Sequence, residues 1–390
     1  MVQRVGIASL ILLAVAGALT LAEVGVRAAL RGGYFDKPHR YMTSDPVLHH
    51  RARPDLSTTV SGTPFSTNSL GLRDREYASP KPLGTFRILM LGDSFTEGGG
   101  LSIDDTVARR VERALGARGC GSYEIVNGGT ASYSPILEYL RLRQLGPILR
   151  PDLLVLNFDM TDVHDDVIRT ATAVLDSRGL PLAVASDPIR ETAVLLPPAP
   201  RWLGPVGRRL NRLALYQTFL RSSAGQRLLG PVKMTPETLS AYGLLGDLEH
   251  DPMAITRDGD FPDLARGWAL TERYLVGIRD LARAQHVPFV LVVYPHPHQV
   301  GPDESPEGRR MLGVGPGLYA SARPFERLEA LGHREGFPVV NLLRLFRERR
   351  AEGPLFRATD IHHTPAGARV FADGIVTGLL ALDVLPRCGR

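Results

Sequence analysis

The sequence is poor in cysteine, and this shortage narrows the classes of protein it can encode. The chain of 390 residues has two cysteines, Cys120 and Cys388, with no paired-cysteine motif and no cluster with histidine. A structural zinc site needs several such ligands at close spacing, so we expect none. The two cysteines can pair in an oxidising compartment or remain free thiols, and both states stay open.

Lysine is also scarce: only three of the 46 basic residues are lysines, and the others are arginines. The formal net charge is +5 at pH 7. A protein that binds nucleic acid gathers positive charge into a patch or a stripe. Here the arginines are scattered among Asp and Glu along the chain. We therefore expect no nucleic-acid partner.

Long apolar runs are also missing, with one exception near the N-terminus. Residues 5–22, VGIASLILLAVAGALTLA, contain no charge, which is near the lower limit for a membrane-spanning helix. The small residues AGA also fit the cleavage site of a signal peptide. We interpret residues 1–32 as a membrane anchor or a signal peptide, with a retained anchor favoured.

This interpretation implies an exported protein. It would be anchored in the inner membrane and face the periplasm, or be secreted if the segment is cleaved. The flanking charges oppose this orientation, because the positive-inside rule places basic residues in the cytoplasm. Only Arg4 precedes the run, whereas four basic residues follow it: Arg27, Arg31, Lys37 and Arg40.

Beyond residue 85 the apolar pattern alternates between strands and helices. Residues 33–85 are interpreted as a linker or extended lead-in, and residues 86–385 as one domain. Apolar runs predict five buried strands, and helical spacing predicts the helices between them. Such alternation is typical of an α/β fold with a parallel sheet between layers of helices. The predicted strands are 86–91, 123–127, 153–158, 288–294 and 337–342, and the predicted helices are 104–117, 136–149, 263–285, 323–335 and a last one ending near 382.

The alternation stops between about residues 166 and 262. This stretch includes LPPAPRW and the helical pattern LNRLALYQTFLRS, but no strand–helix unit. We interpret it as a helical insertion that covers the site or forms a small subdomain.

Polar motifs follow the predicted strands. In open parallel sheets, ligands bind at the carboxyl ends of the strands, so these loops would meet at one edge. A serine nucleophile needs a base to take its proton and a third group to orient that base. Ser94, His362 and Asp360 are the candidates for these three roles. The motifs are GDSFTEG (92–98), NGGTASYS (127–134), DMTDVHDD (159–166) and TDIHHTPAG (359–367).

These motifs, with the upstream run FSTNSLGLRDREY (65–77), resemble the SGNH (GDSL-like) hydrolase family over roughly residues 65–380. The upstream run is associated with membrane-anchored bacterial members. The resemblance implies a flavodoxin-like sheet, a Ser-His-Asp site and no cofactor. It makes Ser94 the nucleophile, Asp360 the orienting acid and His362 the base, five residues before Gly367. His363 is the rival base if the loop is shifted by one position.

The resemblance also implies an oxyanion hole built from three donors. The first is the backbone N–H of Ser94. The second, a glycine N–H in the family, falls on Ser132, which still has a backbone N–H. The third, an asparagine side chain in the family, falls on Thr161, whose hydroxyl has a shorter reach. Asn127 or Asn157 could lend an amide instead, although neither aligns with the family position.

Asn127 and His363 are also possible pocket residues, together with two further histidines. His296 and His298 follow the fourth predicted strand, where they either line the pocket or pack against proline as loop residues. The run DVHDD (162–166) offers side chains of the kind that bind metals. Its successive positions point in different directions, so we expect a solvated helix start and no metal.

The residues together predict a serine esterase or acyl hydrolase that forms an acyl-enzyme. Its substrate would be a small ester or an acylated glycan. An O-acyltransferase for an exopolysaccharide or envelope glycan is one alternative, in which a sugar hydroxyl replaces water. A non-catalytic glycan-binding module is the other, because Ser132 and Thr161 weaken the oxyanion hole. The presence of Ser94, Asp360 and His362 together argues against the binding module.

Overall fold

A computed structural model describes most of the chain. The described residues are 2–30, 40–60, 62–187, 213–222, 247–259, 263–311 and 321–387, with positions 210, 224, 225, 227, 261 and 314. Helix α1 spans Val2–Leu30. Within it, residues Ser9–Ala28 have a mean hydropathy of 2.1. In the described part of the chain, this is the one helix long and apolar enough to cross a membrane.

Residues 40–84 form structure that packs on the domain. Strands β1 (Met42–Asp45) and β2 (His49–Ala52) pair as one antiparallel hairpin, and β3 (Ser57–Val60) and β4 (Thr63–Ser66) pair as another. Leu48 and Leu72 are buried in the same apolar cluster as the sheet. These residues therefore pack against the sheet domain, while the division of the chain into a lead-in and a domain stays a prediction.

A parallel sheet of five strands forms the centre of the molecule. Its order is β6-β5-β7-β10-β11, which is the 2-1-3-4-5 order of flavodoxin-like folds. All five predicted strands and the predicted sheet type are confirmed. A separate hairpin, β8 and β9, follows β7 in the chain. The strands are β5 (Thr85–Leu91), β6 (Ser122–Asn127), β7 (Leu153–Phe158), β8 (Ala173–Leu175), β9 (Pro181–Val184), β10 (Phe289–Val293) and β11 (Val339–Asn341).

Helices cover both faces of this sheet. One layer holds α4 (Pro135–Leu149), α7 (Leu264–Ala284) and α10 (Arg323–Glu335). The other holds α3 (Val107–Gly116), α11 (Leu343–Arg349) and α12 (Pro365–Ala381). In β5, Leu89 and Leu91 face the first layer while Ile88 and Met90 face the second. Burial on both sides explains why the strands read as continuous apolar runs. After α1, the helices are α2 (Ser94–Glu97), α3 (Val107–Gly116), α4 (Pro135–Leu149), α5 (Asp162–Thr170), α6 (Ala214–Arg221), α7 (Leu264–Ala284), α8 (Pro297–Val300), α9 (Pro306–Met311), α10 (Arg323–Glu335), α11 (Leu343–Arg349) and α12 (Pro365–Ala381).

The predicted insertion is described only in part. Its first residues complete α5 and form the β8–β9 hairpin, and α6 confirms a helix within LNRLALYQTFLRS. Residues 188–209 and 228–246 lie outside the described residues, so the expectation that the insertion covers the site remains a prediction. Cys120 is disulfide-bonded, and Cys388 lies outside the described residues.

Candidate active site

Three side chains from two distant loops meet where β5 ends. The Ser94 Oγ lies 2.8 Å from Nε2 of His362, and Nδ1 of the same ring lies 3.0 Å from Oδ1 of Asp360. A neutral ring that donates its Nδ1–H to the carboxylate keeps a lone pair on Nε2 for the serine proton. This is the hydrogen-bond chain of a Ser-His-Asp triad.

The turn between β5 and α2 sets the position of Ser94. Gly92 has a φ of +153°, and an added Cβ would lie 2.2 Å from Oγ1 of Thr96, so this position requires glycine. The Asp93 side chain caps α2 by accepting the Phe95 N–H at 2.9 Å. The Ser94 N–H lies in the first turn, where a helix offers no acceptor. Among the described residues it has no hydrogen-bond acceptor.

A compact loop before α12 holds the other two residues of the triad. Asp360 Oδ1 accepts the backbone N–H of His362 at 2.8 Å as well as the ring N–H. Burial alone would raise the pKa of Asp360, but these hydrogen bonds and the nearby Arg357 hold it below its usual value. Thr364 caps α12 and Pro365 is its first residue, as the sequence predicts. The carboxylate therefore stays charged beside the imidazole.

The rival histidine, His363, faces the protein interior. Its ring lies within about 6 Å of five aromatic rings and is only 2% exposed. Burial, together with the neighbouring His362, lowers the pKa of His363 to about 3. Neither ring nitrogen has a hydrogen-bond partner among the described residues. The contact with Ser94 is thus made by His362.

The second-block residue, Ser132, adopts an unusual backbone conformation. Its φ is +60°, in the left-handed region that glycine adopts without strain. Ser132 therefore occupies a backbone conformation that a non-glycine residue adopts rarely. The residue is exposed, and within the described part of the chain its N–H donates no hydrogen bond.

Thr161, the third predicted donor, is already engaged. Its hydroxyl donates to Oδ1 of Asp159 at 2.6 Å, and its backbone N–H donates to the same oxygen at 2.7 Å. A hydroxyl has one proton to give, so in this arrangement Thr161 cannot also donate to a substrate oxygen. The alternative amides are engaged too, since Asn157 donates to Thr96 at 2.9 Å and Asn127 lies 3.4 Å from the Glu97 carbonyl. The expected third donor is missing from this arrangement.

The residues expected to line a pocket are all buried. Asn127, His296, His298 and His363 have almost no exposed surface. His296 is paired with Asp159, and His298 lies 3.1 Å from the Thr256 hydroxyl. The structure buries these four side chains, and their role as lining of a pocket stays a prediction.

Sequence reasoning missed a buried network beneath the triad. The Tyr294 hydroxyl lies 3.0 Å from Oδ1 of Asp93 and 2.8 Å from Oδ2 of Asp159. Nε2 of His296 lies 2.7 Å from the same Asp159 oxygen. The available signal was position, because Asp159 directly follows β7 and Tyr294 directly follows β10.

One carboxyl of this network carries the charge and the other does not. Burial and the nearby charge of Asp159 raise the pKa of Asp93 well above its usual value. Burial would do the same to Asp159, but the ring of His296 and the bonds from Thr161 hold its pKa below the usual value. Tyr294 therefore joins a neutral acid in the nucleophile turn to a charged acid in the third loop.

The run DVHDD is buried, so the prediction of a solvated helix start is wrong. Asp162 and Asp166 are both buried, and burial raises the pKa of Asp166 to about 7. Asp166 accepts the Ile136 N–H at 3.0 Å and the Thr271 hydroxyl at 2.7 Å, which fixes the start of α4 against α7. Among the described residues no group of three or more His, Cys, Asp or Glu side chains could hold a metal ion.

Comparison with known proteins gives matches among solved structures. No family model matches the sequence, and no curated protein matches it. The structure of TesA is 14% identical with a TM-score of 0.39, over 76% of this chain and 99% of that one. The acetyl xylan esterase AlAXEase gives 13% and 0.38, over 75% and 98%. A lipase/acylhydrolase from Enterococcus faecalis gives 11% and 0.38, over 78% and 99%. Similarity this low assigns no activity to this chain.

Proposed function

We propose that the protein is a serine hydrolase of the SGNH type that cleaves an ester through an acyl-enzyme on Ser94. One observation carries this proposal, namely the unbroken contact from Ser94 through His362 to Asp360. The two loops are 268 residues apart in sequence. A serine in an ordinary turn has no need of such a partner.

The geometry gives each residue one part of the reaction. Nε2 of His362 takes the Ser94 proton as Oγ attacks the ester carbonyl, and the carbonyl oxygen becomes an oxyanion. The Nε2–H then protonates the leaving alkoxide as the C–O bond breaks. In the second half the same nitrogen takes a proton from water as the water oxygen attacks the acyl carbon. The bond from that carbon to Ser94 Oγ then breaks, Nε2 returns the proton to Oγ, and the acid is released. Asp360 keeps the ring in its tautomer and stabilises the imidazolium.

The oxyanion is stabilised by two backbone donors in this proposal, the N–H groups of Ser94 and Ser132. Because Thr161 donates to Asp159, the site lacks the side-chain donor of the family pattern. Loss of one such donor costs about 10²–10³ in kcat. We therefore expect a slow hydrolase on simple esters. An acylated glycan is the proposed natural substrate class, with transfer to a sugar hydroxyl as the alternative fate of the acyl group.

We also propose that α1 stays on the mature protein as an anchor and that the domain faces the periplasm. The Glu23 carboxylate of α1 accepts the backbone N–H groups of Ala214 and Leu215 at 2.9 Å each. A carboxylate at a helix N-terminus is stabilising, so Glu23 ties α1 to the first turn of α6. The intact mass of protein extracted from membranes tests this proposal. A mature chain that begins at residue 19, after the AGA site, or further along would contradict it.

The central proposal is tested by labelling the full-length protein in detergent with a fluorophosphonate. We expect one adduct, located on Ser94 by mass spectrometry, and its loss in Ser94→Ala and His362→Ala. Ser102→Ala is the matched control, because this serine is exposed and lies outside the triad. A folded wild-type protein without an adduct would contradict catalysis and favour the glycan-binding module.

A second measurement separates hydrolysis from transfer. Unlabelled, active enzyme is incubated with p-nitrophenyl acetate, once with and once without an oligosaccharide acceptor. Hydrolysis alone releases acetate in proportion to p-nitrophenol. An acetylated sugar, formed at the expense of free acetate, would instead identify an acyltransferase.

A further inference from the structure

The lead-in hairpin contacts the loop that carries Ser132. His50 of β2 places its Nε2 atom 2.8 Å from the carbonyl oxygen of Ala131. The Tyr133 hydroxyl donates to the His50 carbonyl at 2.6 Å, so the contact runs in both directions. Both His50 and Tyr133 are buried. The hairpin and the loop therefore form one rigid unit.

The hydrogen bonds fix the protonation of both hairpin histidines. A carbonyl oxygen can only accept, so Nε2 of His50 carries a proton. Nδ1 of His50 is then a bare acceptor and takes the proton of Nδ1 of His49, 2.7 Å away. Burial, followed by the neighbouring His49, lowers the pKa of His50 well below its usual value. His50 thus stays a neutral donor to Ala131 across the working pH range.

The loop is also held on the other side of Ser132. Arg169 of α5 donates from its guanidinium to the Ser132 carbonyl oxygen. The Ala131 N–H is hydrogen bonded to the buried Glu97 carboxyl. The polar backbone groups on both sides of the Ser132 N–H are therefore fixed by side chains of other elements.

The planar peptide bond between Ala131 and Ser132 links the direction of the Ala131 carbonyl to that of the Ser132 N–H. In a trans peptide, the carbonyl of one residue and the N–H of the next point to opposite sides. Because the Ala131 carbonyl points to His50, the Ser132 N–H points away from it, toward the open side of the loop. We propose that His50 and Arg169 are positioning residues, which hold the Ser132 N–H in place to receive the oxyanion.

This inference rests on the proposed function and deepens it. Neither His50 nor Arg169 touches the reacting atoms; each acts through the carbonyl that it holds. Without them the peptide can rotate, and the N–H would have to be aligned during the reaction. Pre-organised donors are effective because this cost is absent. The family pattern relies on glycine at this position, whereas here side chains fix a serine in the same conformation.

The experiment compares His50→Phe with His50→Gln in the full-length protein. Phe removes the donor to Ala131, whereas the Gln amide can reach the same oxygen. With p-nitrophenyl acetate we expect His50→Phe to lower kcat by about 10²-fold with KM unchanged, as for the loss of an oxyanion donor. His50→Gln should restore most of kcat. Exposed His286→Phe is the matched control.

A spectroscopic signature distinguishes positioning from a general loss of structure. The carbonyl stretch of an acyl-enzyme formed from an isotope-labelled cinnamoyl ester moves to lower frequency when the oxyanion donors bind it. In His50→Phe we expect this band to move to higher frequency, and in His50→Gln to return toward the wild type. Arg169→Leu, with Arg169→Lys as its conservative partner, tests the second carbonyl in the same way if His50→Phe does not fold.

The outcomes separate this inference from the proposed function. If Ser94 is labelled by fluorophosphonate but folded His50→Phe keeps its kcat and its carbonyl band, the positioning role is overturned and the hydrolase stands. If wild-type Ser94 is not labelled at all, the hydrolase fails and this inference fails with it.

Discussion

Two histidine–carboxylate pairs lie near the Phe95 ring, and they differ in their access to solvent. His362 and Asp360 have 26% and 29% of their side chains exposed, and the ring of His362 is 5.0 Å from that of Phe95. His296 and Asp159 are 0% and 2% exposed, and the ring of His296 is 5.4 Å from Phe95. Only the first pair reaches a serine.

The difference shows that the residue types alone do not define a catalytic pair. An imidazole beside a carboxylate can orient and donate in either place, but only a partly exposed ring can exchange protons with a substrate. The buried pair instead joins the third loop to the nucleophile turn through Tyr294. We expect the buried pair to contribute to the free energy of unfolding and the exposed pair to contribute to the reaction rate.

The largest expected effect comes from a substitution that breaks the exposed pair. His362→Ala removes the base, and we expect kcat to fall by about 10⁴–10⁶-fold with the fold intact. His296→Gln is the matched change in the buried pair and should keep most of kcat per folded molecule. Initial rates with p-nitrophenyl acetate measure both. Equal losses in the two variants would mean that the buried pair belongs to the catalytic machinery.

The second prediction reverses the comparison and concerns stability. His296→Ala leaves the buried carboxylate of Asp159 without its ring partner, which should lower the free energy of unfolding by about 3–5 kcal/mol. His362→Ala, at an exposed pair, should change it by about 1 kcal/mol or less. Urea denaturation followed by the fluorescence of buried Trp268 measures both values.

A control variant tests the reason for that loss. Adding Asp159→Asn to His296→Ala removes the stranded charge, so the double variant should be more stable than His296→Ala alone. If the double variant is less stable by the sum of the two single losses, the pair contributes no coupling and the comparison fails.

The third prediction extends the contrast to the carboxyls of α5. Burial raises the pKa of Asp166 to about 7, so the folded protein holds a proton that the unfolded chain releases near pH 4. Stability from this group is full below that pH and is lost as the pH rises toward 7, by about 1.4 kcal/mol per pH unit. Asp360 has the opposite sign, because its lowered pKa gives stability that is lost in acid.

Asp166→Asn tests this sign, because asparagine can keep the bonds to Ile136 and Thr271 without titrating. We expect the unfolding free energy of the variant, measured between pH 4 and 7, to fall less steeply than that of the wild type. Glu97, with a pKa raised by burial to about 7, remains and gives a residual slope. An unchanged slope would mean that Asp166 is charged in the folded protein.

The sequence predicts the exposed pair well and the buried pair poorly. Continuous apolar runs located all five strands within two residues at each end. Strands that are buried on both faces have apolar side chains at nearly every position, so the ends of the run mark the ends of the strand. The triad followed from motifs at the ends of those strands. The apolar periodicity does not predict that Asp159, His296 and Tyr294 point inward. Buried polar side chains form hydrogen bonds with partners that are distant in the sequence. His50 was missed for the same reason, because its partner Ala131 lies 81 residues away.

The smallest predicted effect concerns Arg357, a cation beside the exposed pair. Arg357 Nε lies 3.4 Å from Oδ2 of Asp360, and both side chains are partly exposed. Such pairs are worth about 0–1 kcal/mol, so Arg357→Gln should lower kcat by about fivefold at most. Salt screens exposed charges, so the gap between wild type and variant should narrow at high ionic strength. Arg344→Gln, which breaks the exposed pair with Glu348, is the control for a lost surface charge. A loss comparable to that of His362→Ala would show that Arg357 binds the substrate itself, and the exposed pair would then be part of a larger charged site.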